Sequence, residues 1–262
     1  MTTTNYREAK RVHTSLLAAA EKRLLIWMAE RLPGSVNSDH LTVLAGLAMA
    51  VAGVCYSIGP GSPLAMGVAI LMLGLNWFGD SLDGTLARVR HHERPRYGFY
   101  VDHVLDVVGI LFLLTGFAMG GLMTPVVAAG FLVAYYLLMV EIALATHAVG
   151  TFRISFWKFG PTELRILLAA GTLQLLRSPH VTIAGERLLL FDIAGVIAIG
   201  ALLITFIASA ARNTRHLYEL EPLPQNVELV NDSRGRRRPA LLFEDPNHRK
   251  VVRRRVDVRS HA

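Results

Sequence analysis

Long apolar runs separated by short polar turns make up most of this chain. A helix needs about 20 apolar residues to cross a bilayer. Runs close to this length lie near residues 40 to 59, 63 to 87, 98 to 119, 123 to 147, 162 to 177 and 189 to 210. The fifth run is the shortest, and it carries Glu163 and Arg165 at its start. The pattern predicts an all-α polytopic membrane protein with six transmembrane helices.

The segment ahead of the first run has a different pattern. Over residues 6–32, apolar side chains recur on one side of a helix and charged side chains lie largely elsewhere. This pattern predicts an amphipathic helix, which either lies in the membrane interface or packs on the cytoplasmic face of the protein itself. Pro33 and Gly34 end this helix, and Asn37 or Ser38 can cap the first membrane helix.

Composition agrees with a membrane location and sets the tail apart. Apolar residues make up 52% of the chain, and the mean hydropathy is +0.40. From about residue 213 the apolar period is lost, and clusters of arginine alternate with acidic residues, Pro and Asn, which is typical of disorder. We therefore expect an N-terminal helical segment over 1–36, a membrane domain over 37–212 and a basic, disordered tail over 213–262.

Basic residues set the expected orientation, because they accumulate on the cytoplasmic side of short loops. The turns at 59–62 and 119–124 contain neither Lys nor Arg, whereas the turns on the other side carry Arg88, Arg90, Arg94, Arg96, Arg153 and Lys158. Both termini are therefore expected in the cytoplasm, with the chain in a plasma or inner membrane. Much of the +7 formal charge lies in the tail. Such a basic tail is either simply solvated or binds anionic lipid headgroups. Nucleic acid is not an expected partner.

Acidic residues lie in or beside the second and third apolar runs. They are Asp80, Asp83, Asp102 and Asp106. Ionised carboxylates in apolar surroundings cost several kcal/mol unless they are paired or bind metal, so their clustering predicts a functional site. At about 100° per residue the first two fall on one helix face and the last two on one face of the next helix. The polar turn at 89–97 is expected to fold these helices against each other, with both stripes near the cytoplasmic surface.

The chemistry of this site follows from its donor atoms. Carboxylate oxygens without cysteine suit Mg²⁺, Mn²⁺ or Ca²⁺ better than zinc, and Cys55, the one cysteine, excludes an internal disulfide. Gly84, Ala87 and Gly98 lie on the same faces and lack bulk, so a large ligand can approach the backbone. A nucleotide diphosphate is the ligand that we expect.

Together these residues form the pattern D-x-x-D-G-x-x-A-R, nine further residues, and then G-x-x-x-D-x-x-x-D. The fixed positions are Asp80, Asp83, Gly84, Ala87, Arg88, Gly98, Asp102 and Asp106. The pattern resembles the signature of the CDP-alcohol phosphotransferases, which are integral membrane enzymes of phospholipid synthesis. Every fixed position of that signature is matched here.

The resemblance implies a transferase of the EC 2.7.8 type, which moves a phosphate-linked group from a CDP-linked donor to an alcohol and releases CMP. All four aspartates are implied to hold two Mg²⁺ or Mn²⁺ ions, and Asp106 is also implied to be the general base. A homodimer in contact with membrane lipids is implied as well. The residues implied to bind the donor nucleotide are Gly84, Ala87, Arg88, Gly98, Asn37 and Thr42. Arg88 could instead brace the cytoplasmic turn.

Three further ionisable residues lie at a similar depth and are candidates for binding the acceptor. Arg165 suits an acceptor phosphate, because a guanidinium fork pairs well with phosphate. Glu163 could simply orient Arg165. Glu141 either binds substrate or pairs with a basic neighbour that holds helices together.

The resemblance leaves the substrates open. Compact bacterial-type members mostly use CDP-diacylglycerol with a polar acceptor such as glycerol phosphate, inositol phosphate or serine, and we expect this reaction. The Asp102-His103 pair is similar to choline and ethanolamine phosphotransferases, in which CDP-choline or CDP-ethanolamine is the donor and a lipid the acceptor.

Two other classes of membrane protein also use clustered aspartates. A prenyltransferase binds diphosphates through Mg²⁺, but its motifs normally lie on more distant helices without the linked Gly-Ala-Arg pattern. A divalent-cation transporter would need carboxylates along a path through the membrane, whereas these cluster at one face.

Overall fold

The computed structural model describes residues 18–149, 161–183, 185–221, 227–231, 237–245 and 248–254. In the described residues the helices are α1 Ala18–Arg31, α2 Ser38–Ile58, α3 Pro63–Val89, α4 Pro95–Met119, α5 Pro125–Val149, α6 Pro161–Leu175 and α7 Leu190–Leu220. The strands β1 His180–Ile183 and β2 Glu186–Leu189 form an antiparallel hairpin between α6 and α7. The chain divides into two compact units, 1–210 and 211–262.

Five helices in the described residues are long and apolar enough to cross a membrane: α2, α3, α4, α5 and α7. The polytopic, mainly helical membrane fold is therefore confirmed. The sixth predicted span is not, because α6 has 15 residues and a rise of about 1.5 Å per residue gives it roughly 22 Å. The hydrocarbon core of a bilayer is about 30 Å thick.

Although short, α6 connects two levels of the helical bundle. Near its start, Arg165 donates a hydrogen bond to Asp80 of α3. Two turns later, the hydroxyl of Thr172 lies 2.6 Å from that of Tyr56, close to the other end of α2. The next long helix, α7, begins at that far level, where Asp192 accepts a hydrogen bond from the backbone of Thr124 at 2.7 Å.

Helix α2 lies at the centre of the membrane unit. It packs extensively against both α3 and α4, which share few contacts with each other. A Cβ atom added to Gly79 of α3 would lie 2.5 Å from the carbonyl oxygen of Leu41. One added to Gly116 of α4 would overlap the carbonyl group of Gly53.

This arrangement corrects the expectation that the polar turn folds the two aspartate-bearing helices directly against each other. Between membrane helices, association depends on close van der Waals packing, which small residues permit by letting backbones approach. The glycine contacts of α2 supply that approach on both sides. Helix α2 therefore sets the distance between the two aspartate stripes.

Helix α1 packs on α3 near the aspartate end of the bundle. Its Leu25 and Ala29 are buried in a cluster that includes Leu41, Leu82 and Leu86. On another side of the helix, Leu24 and Trp27 are exposed. Only the second half of the amphipathic helix expected over 6–32 falls within the described residues, and its location in the membrane interface stays a prediction.

The second unit contains a three-stranded antiparallel sheet, formed by β3 Val227–Asn231, β4 Arg237–Asp245 and β5 His248–Arg254 in that order. Within these strands the structure differs from the disorder expected for the tail. Each strand contains a short run rich in Val, Leu or Phe, residues that favour strands. Arginines dominate the composition of the tail, so composition alone does not reveal these runs.

The glycine contact between α2 and α4 can be tested by adding a methyl group. Gly116→Ala should lower the free energy of unfolding in detergent by about 1–3 kcal/mol, because overpacking forces the two backbones apart. Thermal unfolding followed by circular dichroism measures the effect.

Gly74→Ala in α3 is the matched control, since a Cβ there would meet nothing within 4 Å. We expect this variant to melt at or slightly above the wild-type temperature, because alanine favours helices more than glycine. Equal melting temperatures for Gly116→Ala and Gly74→Ala would show that the close contact does not matter.

Candidate active site

Three of the four predicted aspartates converge at one end of the bundle. One carboxylate oxygen each from Asp80, Asp102 and Asp106 lies within 4.8 Å of the others. Asp80 comes from the C-terminal half of α3, and the other two come from the first turns of α4. Three hard oxygen donors at these separations can coordinate one divalent cation.

Asp83 makes a different contact from its three neighbours. Its Oδ2 atom accepts a hydrogen bond from the hydroxyl of Thr42 at 2.6 Å. In the described part of the chain, it is not in the group whose oxygens come within 4.8 Å of one another. Thr42, which the family resemblance assigns to the nucleotide, therefore lies against an aspartate of the motif. A place for Asp83 among the metal ligands stays a prediction.

A hydrogen-bonded chain holds Asp80 in position. Arg165 Nη2 donates to Asp80 Oδ2 at 2.7 Å, and Arg165 Nε donates to Asn76 Oδ1 at 2.7 Å. The amide of Asn76 in turn donates to the carbonyl oxygen of Ala45 at 3.1 Å. The backbone of α2 is thus linked through Asn76 of α3 to the guanidinium of Arg165 on α6. A partly buried ion pair of this kind compensates the charge of Asp80 among apolar helices.

Asn76 is a site residue that the sequence reasoning missed. Its side chain is buried, and it lies one helical turn before Asp80 on α3. A lone amide within an apolar run, four residues from a motif aspartate, was the available signal. Arg165 was predicted as an acceptor-binding residue, and the structure brings it to the aspartates.

A second missed residue links three helices around the site. Glu21 of α1 accepts hydrogen bonds on one oxygen from Trp77 Nε1 of α3, at 2.9 Å, and from the hydroxyl of Thr162 on α6, at 2.7 Å. The contact fixes α6 beside α3 a few residues before Arg165. Nothing in the sequence distinguishes Glu21 from other charged residues of an amphipathic helix.

The entrance to α2 is held by Asn37. Its Oδ1 accepts from the backbone of His40 at 3.0 Å, and its own N–H donates to His40 Nδ1 at 3.4 Å, which makes a reciprocal cap. Of the two predicted caps, Asn37 is therefore the one used. Asn37 and Ala87, both assigned to the donor nucleotide by the family resemblance, also line a cavity of about 420 Å³.

Two arginines of the α3–α4 turn border the same cavity. Arg90 donates to the carbonyl oxygens of Leu32 at 2.9 Å and Pro33 at 3.0 Å, so it ties the α1–α2 connection to the end of α3. Arg94 bonds to Asp39, and this hydrogen bond raises the pKa of Arg94. These contacts brace the turn that joins the two halves of the motif.

The other predicted donor residues lie around this turn. Arg88 Nη2 donates to the hydroxyl of Thr85 at 3.1 Å, within its own helix. A Cβ added to Gly84 would meet only Arg88 within 4 Å, and one added to Gly98 would meet nothing. Space is therefore present at both glycines, as expected.

The predicted acceptor residues of α5 and α6 are at least partly shielded from solvent. Glu141 is 8% exposed, and Glu163 is half-buried in the first turn of α6. His103, which follows Asp102, bonds through Nδ1 to the carbonyl oxygen of Phe99 at 2.8 Å and stacks on that ring. The imidazole is thus directed to its own helix.

The part of the chain that carries this site matches a known protein family. The family model described as CDP-alcohol phosphatidyltransferase matches residues 36–208. The chain belongs to this family. Comparison with curated proteins gives no match. The matched range begins just before α2 and ends within α7, so it contains every residue of the aspartate motif.

As a CDP-alcohol phosphatidyltransferase, the protein is a transferase whose family implies phosphatidyl transfer that involves a CDP-alcohol. The family generally depends on divalent metal. The donor set fits that requirement, because Asp80, Asp102 and Asp106 offer only carboxylate oxygens to a common point.

Removing one of these carboxylates should weaken metal binding. We expect Asp102→Asn to bind Mn²⁺ at least about tenfold more weakly than the wild type, since an amide oxygen replaces an anionic ligand. Mn²⁺ titration followed by electron paramagnetic resonance measures the affinity.

Asp192→Asn is the control for this titration. Asp192 lies at the start of α7 and bonds to the Thr124 backbone at the far end of the bundle. Its variant should bind Mn²⁺ as the wild type does. If Asp102→Asn also kept the wild-type affinity, the aspartate cluster would not be the metal site.

Proposed function

We propose that this protein transfers a phosphatidyl group from CDP-diacylglycerol to a polar alcohol and releases CMP. The observation that carries the proposal is the convergence of Asp80, Asp102 and Asp106 within a chain of this family. Arg165 supports it, because a cation beside the three carboxylates suits a phosphate-bearing substrate.

The residues proposed to hold Mg²⁺ or Mn²⁺ are Asp80, Asp83, Asp102 and Asp106, around two ions. When bound, the metal neutralises charge on the donor diphosphate. The ion pair of Asp80 with Arg165 keeps one of these carboxylates in place before any substrate arrives. Thr42 does the same for Asp83 through its hydroxyl.

Asp106 is proposed as the general base. As the acceptor oxygen forms its bond to the phosphorus of the phosphatidyl group, Asp106 receives the hydroxyl proton. The bond between that phosphorus and the oxygen of CMP breaks, and CMP leaves with the electron pair. Asp106 is the most exposed of the three converging aspartates, which supports access for an incoming alcohol.

The donor nucleotide is proposed to bind at the α2 entrance. Support comes from the cavity of about 420 Å³ that Asn37 and Ala87 line with Arg90 and Arg94. Gly84 and Gly98 leave the backbone accessible nearby. Arg88 is proposed to contact a phosphate of the donor.

Arg165 is proposed to bind a phosphate of the acceptor, together with Glu141 and Glu163. Among the residues that the structure describes, its Nη1 atom is a buried donor without a hydrogen-bond partner. A buried donor of this kind favours an anionic ligand, since an unsatisfied charged group is costly. Glycerol phosphate and inositol phosphate are therefore favoured over serine.

The choline and ethanolamine type of reaction receives less support. It was suggested by the Asp102-His103 pair, but the His103 imidazole bonds to the carbonyl oxygen of Phe99 in its own helix. Membership in the family also replaces the prenyltransferase and cation-transporter hypotheses.

We further propose that both termini and the site face the cytoplasm of a plasma or inner membrane. The turn beside the site carries Arg90 and Arg94, whereas the turns at 59–62 and 119–124 have no Lys or Arg. Both termini lie on one side only if the number of crossings is even, so α6 is proposed to complete a sixth crossing. Its contacts near both ends of the bundle support this proposal. A homodimer is proposed from the family resemblance.

Release of CMP tests the reaction. Purified protein with Mn²⁺ and radiolabelled CDP-diacylglycerol should release CMP when glycerol 3-phosphate, inositol phosphate or serine is added. CMP release only from CDP-choline or CDP-ethanolamine with diacylglycerol would show that the lipid is the acceptor. Metal transport without any CMP release would rule out the enzyme.

The base can be tested with Asp106→Asn. Loss of a general base typically lowers turnover by about 10²–10⁴-fold, and we expect a loss in this range at Mn²⁺ concentrations that saturate the variant. Asp192→Asn should retain wild-type turnover. An unchanged rate of CMP release from Asp106→Asn would eliminate the proposed base.

A further inference from the structure

The packing of α5 against α4 brings a tyrosine to the aspartates. The hydroxyl of Tyr136 donates to the carbonyl oxygen of Val107 at 2.9 Å. This bond joins the two helices next to Asp106. Tyr135, the preceding residue, is turned by about 100° around α5.

The apolar contacts of α5 show which way that face points. Leu138 and Ile142 form a buried cluster against which Phe99 of α4 packs. Tyr135 precedes Leu138 by three residues and Ile142 by seven, so all three lie on one face of α5. In α4, Asp102 and Asp106 follow Phe99 at the same two spacings.

Consecutive helices joined by a short turn run in opposite directions, so later residues of α4 lie opposite earlier residues of α5. With Phe99 at the level of the Leu138 and Ile142 cluster, Tyr135 comes to the level of Asp106. The bond from Tyr136 to Val107 independently places this part of α5 beside Asp106.

Electrostatics agree with this position. The phenol of Tyr135 lies within electrostatic range of Asp106, Asp102, Arg165 and Asp80. These charges come from three helices, α3, α4 and α6, so Tyr135 approaches their common centre from a fourth. Within the described part of the chain its hydroxyl makes no hydrogen bond, whereas the hydroxyl of Tyr136 has one.

We propose that Tyr135 contacts the acceptor substrate, with its hydroxyl hydrogen-bonded to the acceptor alcohol beside Asp106. The inference rests on the proposed function. A phenol both donates and accepts, so it can hold the attacking oxygen while Asp106 receives the proton. As a neutral group it adds no further negative charge beside three carboxylates.

The acceptor fits this position better than the donor nucleotide does. The cavity assigned to the nucleotide is lined from α2, from the end of α3 and from the α3–α4 turn. Tyr135 approaches from α5, and Arg165, the residue proposed for an acceptor phosphate, is among the charges within electrostatic range of its phenol. The hydroxyl to be deprotonated must also lie next to the base.

The test compares Tyr135→Phe with Tyr136→Phe. Steady-state release of CMP is measured for both variants and the wild type, with Mn²⁺, CDP-diacylglycerol, and glycerol 3-phosphate, inositol phosphate or serine. Binding of CDP-diacylglycerol is measured separately by calorimetry, and stability by thermal unfolding.

For Tyr135→Phe we expect the KM of the acceptor to rise about 3- to 10-fold, the loss typical of one hydrogen bond. The affinity for CDP-diacylglycerol and the melting temperature should stay at wild-type values, because the Tyr135 hydroxyl makes no hydrogen bond to the residues that the structure describes. Tyr136→Phe should show the opposite pattern, a lower melting temperature with an unchanged KM.

Unchanged kinetic constants for Tyr135→Phe in an active enzyme would overturn the inference and leave the proposed function intact. A weaker affinity for CDP-diacylglycerol with an unchanged acceptor KM would overturn it too, since Tyr135 would then contact the donor. Wild-type protein that releases no CMP with any of these alcohols would contradict the proposed function, and this inference with it.

Discussion

The site depends on close backbone packing of one helix, α2, between the two helices that carry the aspartates. Lipid tails are as apolar as the side chains that they surround, so membrane helices gain little from hydrophobic burial against each other. Contact at Gly79 on one side and at Gly53 and Gly116 on the other replaces that driving force. Because Gly79 immediately precedes Asp80, the packing that holds α3 on α2 also positions the first carboxylate.

Carboxylates that converge among apolar helices repel one another and lose hydration, so they need compensation. Arg165 supplies a positive charge to Asp80. Asn76 orients the guanidinium by accepting a hydrogen bond from it, and the same side chain donates to a backbone carbonyl oxygen of α2. Helix α6 must therefore remain beside α3. Glu21 secures its beginning and the hydroxyl pair of Thr172 and Tyr56 secures its other end. A helix that is short for a membrane span is thus held in place by polar contacts at both ends.

Much of the site could be read from the motif, because fixed spacing on a helix fixes the face on which a side chain lies. Asp80, Asp102 and Asp106 come together as expected. Asn76 and Tyr135 could not be found in this way, since one amide or one phenol in an apolar run resembles an ordinary packing residue. The pairing of Asp83 with Thr42 links residues that are 41 positions apart. No local pattern specifies whether a carboxylate will meet a hydroxyl group or a metal ion.

The amino-acid pattern is enough to infer a helical membrane protein with a carboxylate site near the ends of two helices. Both conclusions depend on properties of single segments: apolar length, and the angle between residues on one helix. The packing of the helices was needed to show that α2 lies between those helices, that Arg165 meets Asp80, and that Tyr135 reaches the level of Asp106. These features depend on which helix faces pack together, and in a bilayer that choice is made by shape and hydrogen bonding between segments distant in the chain.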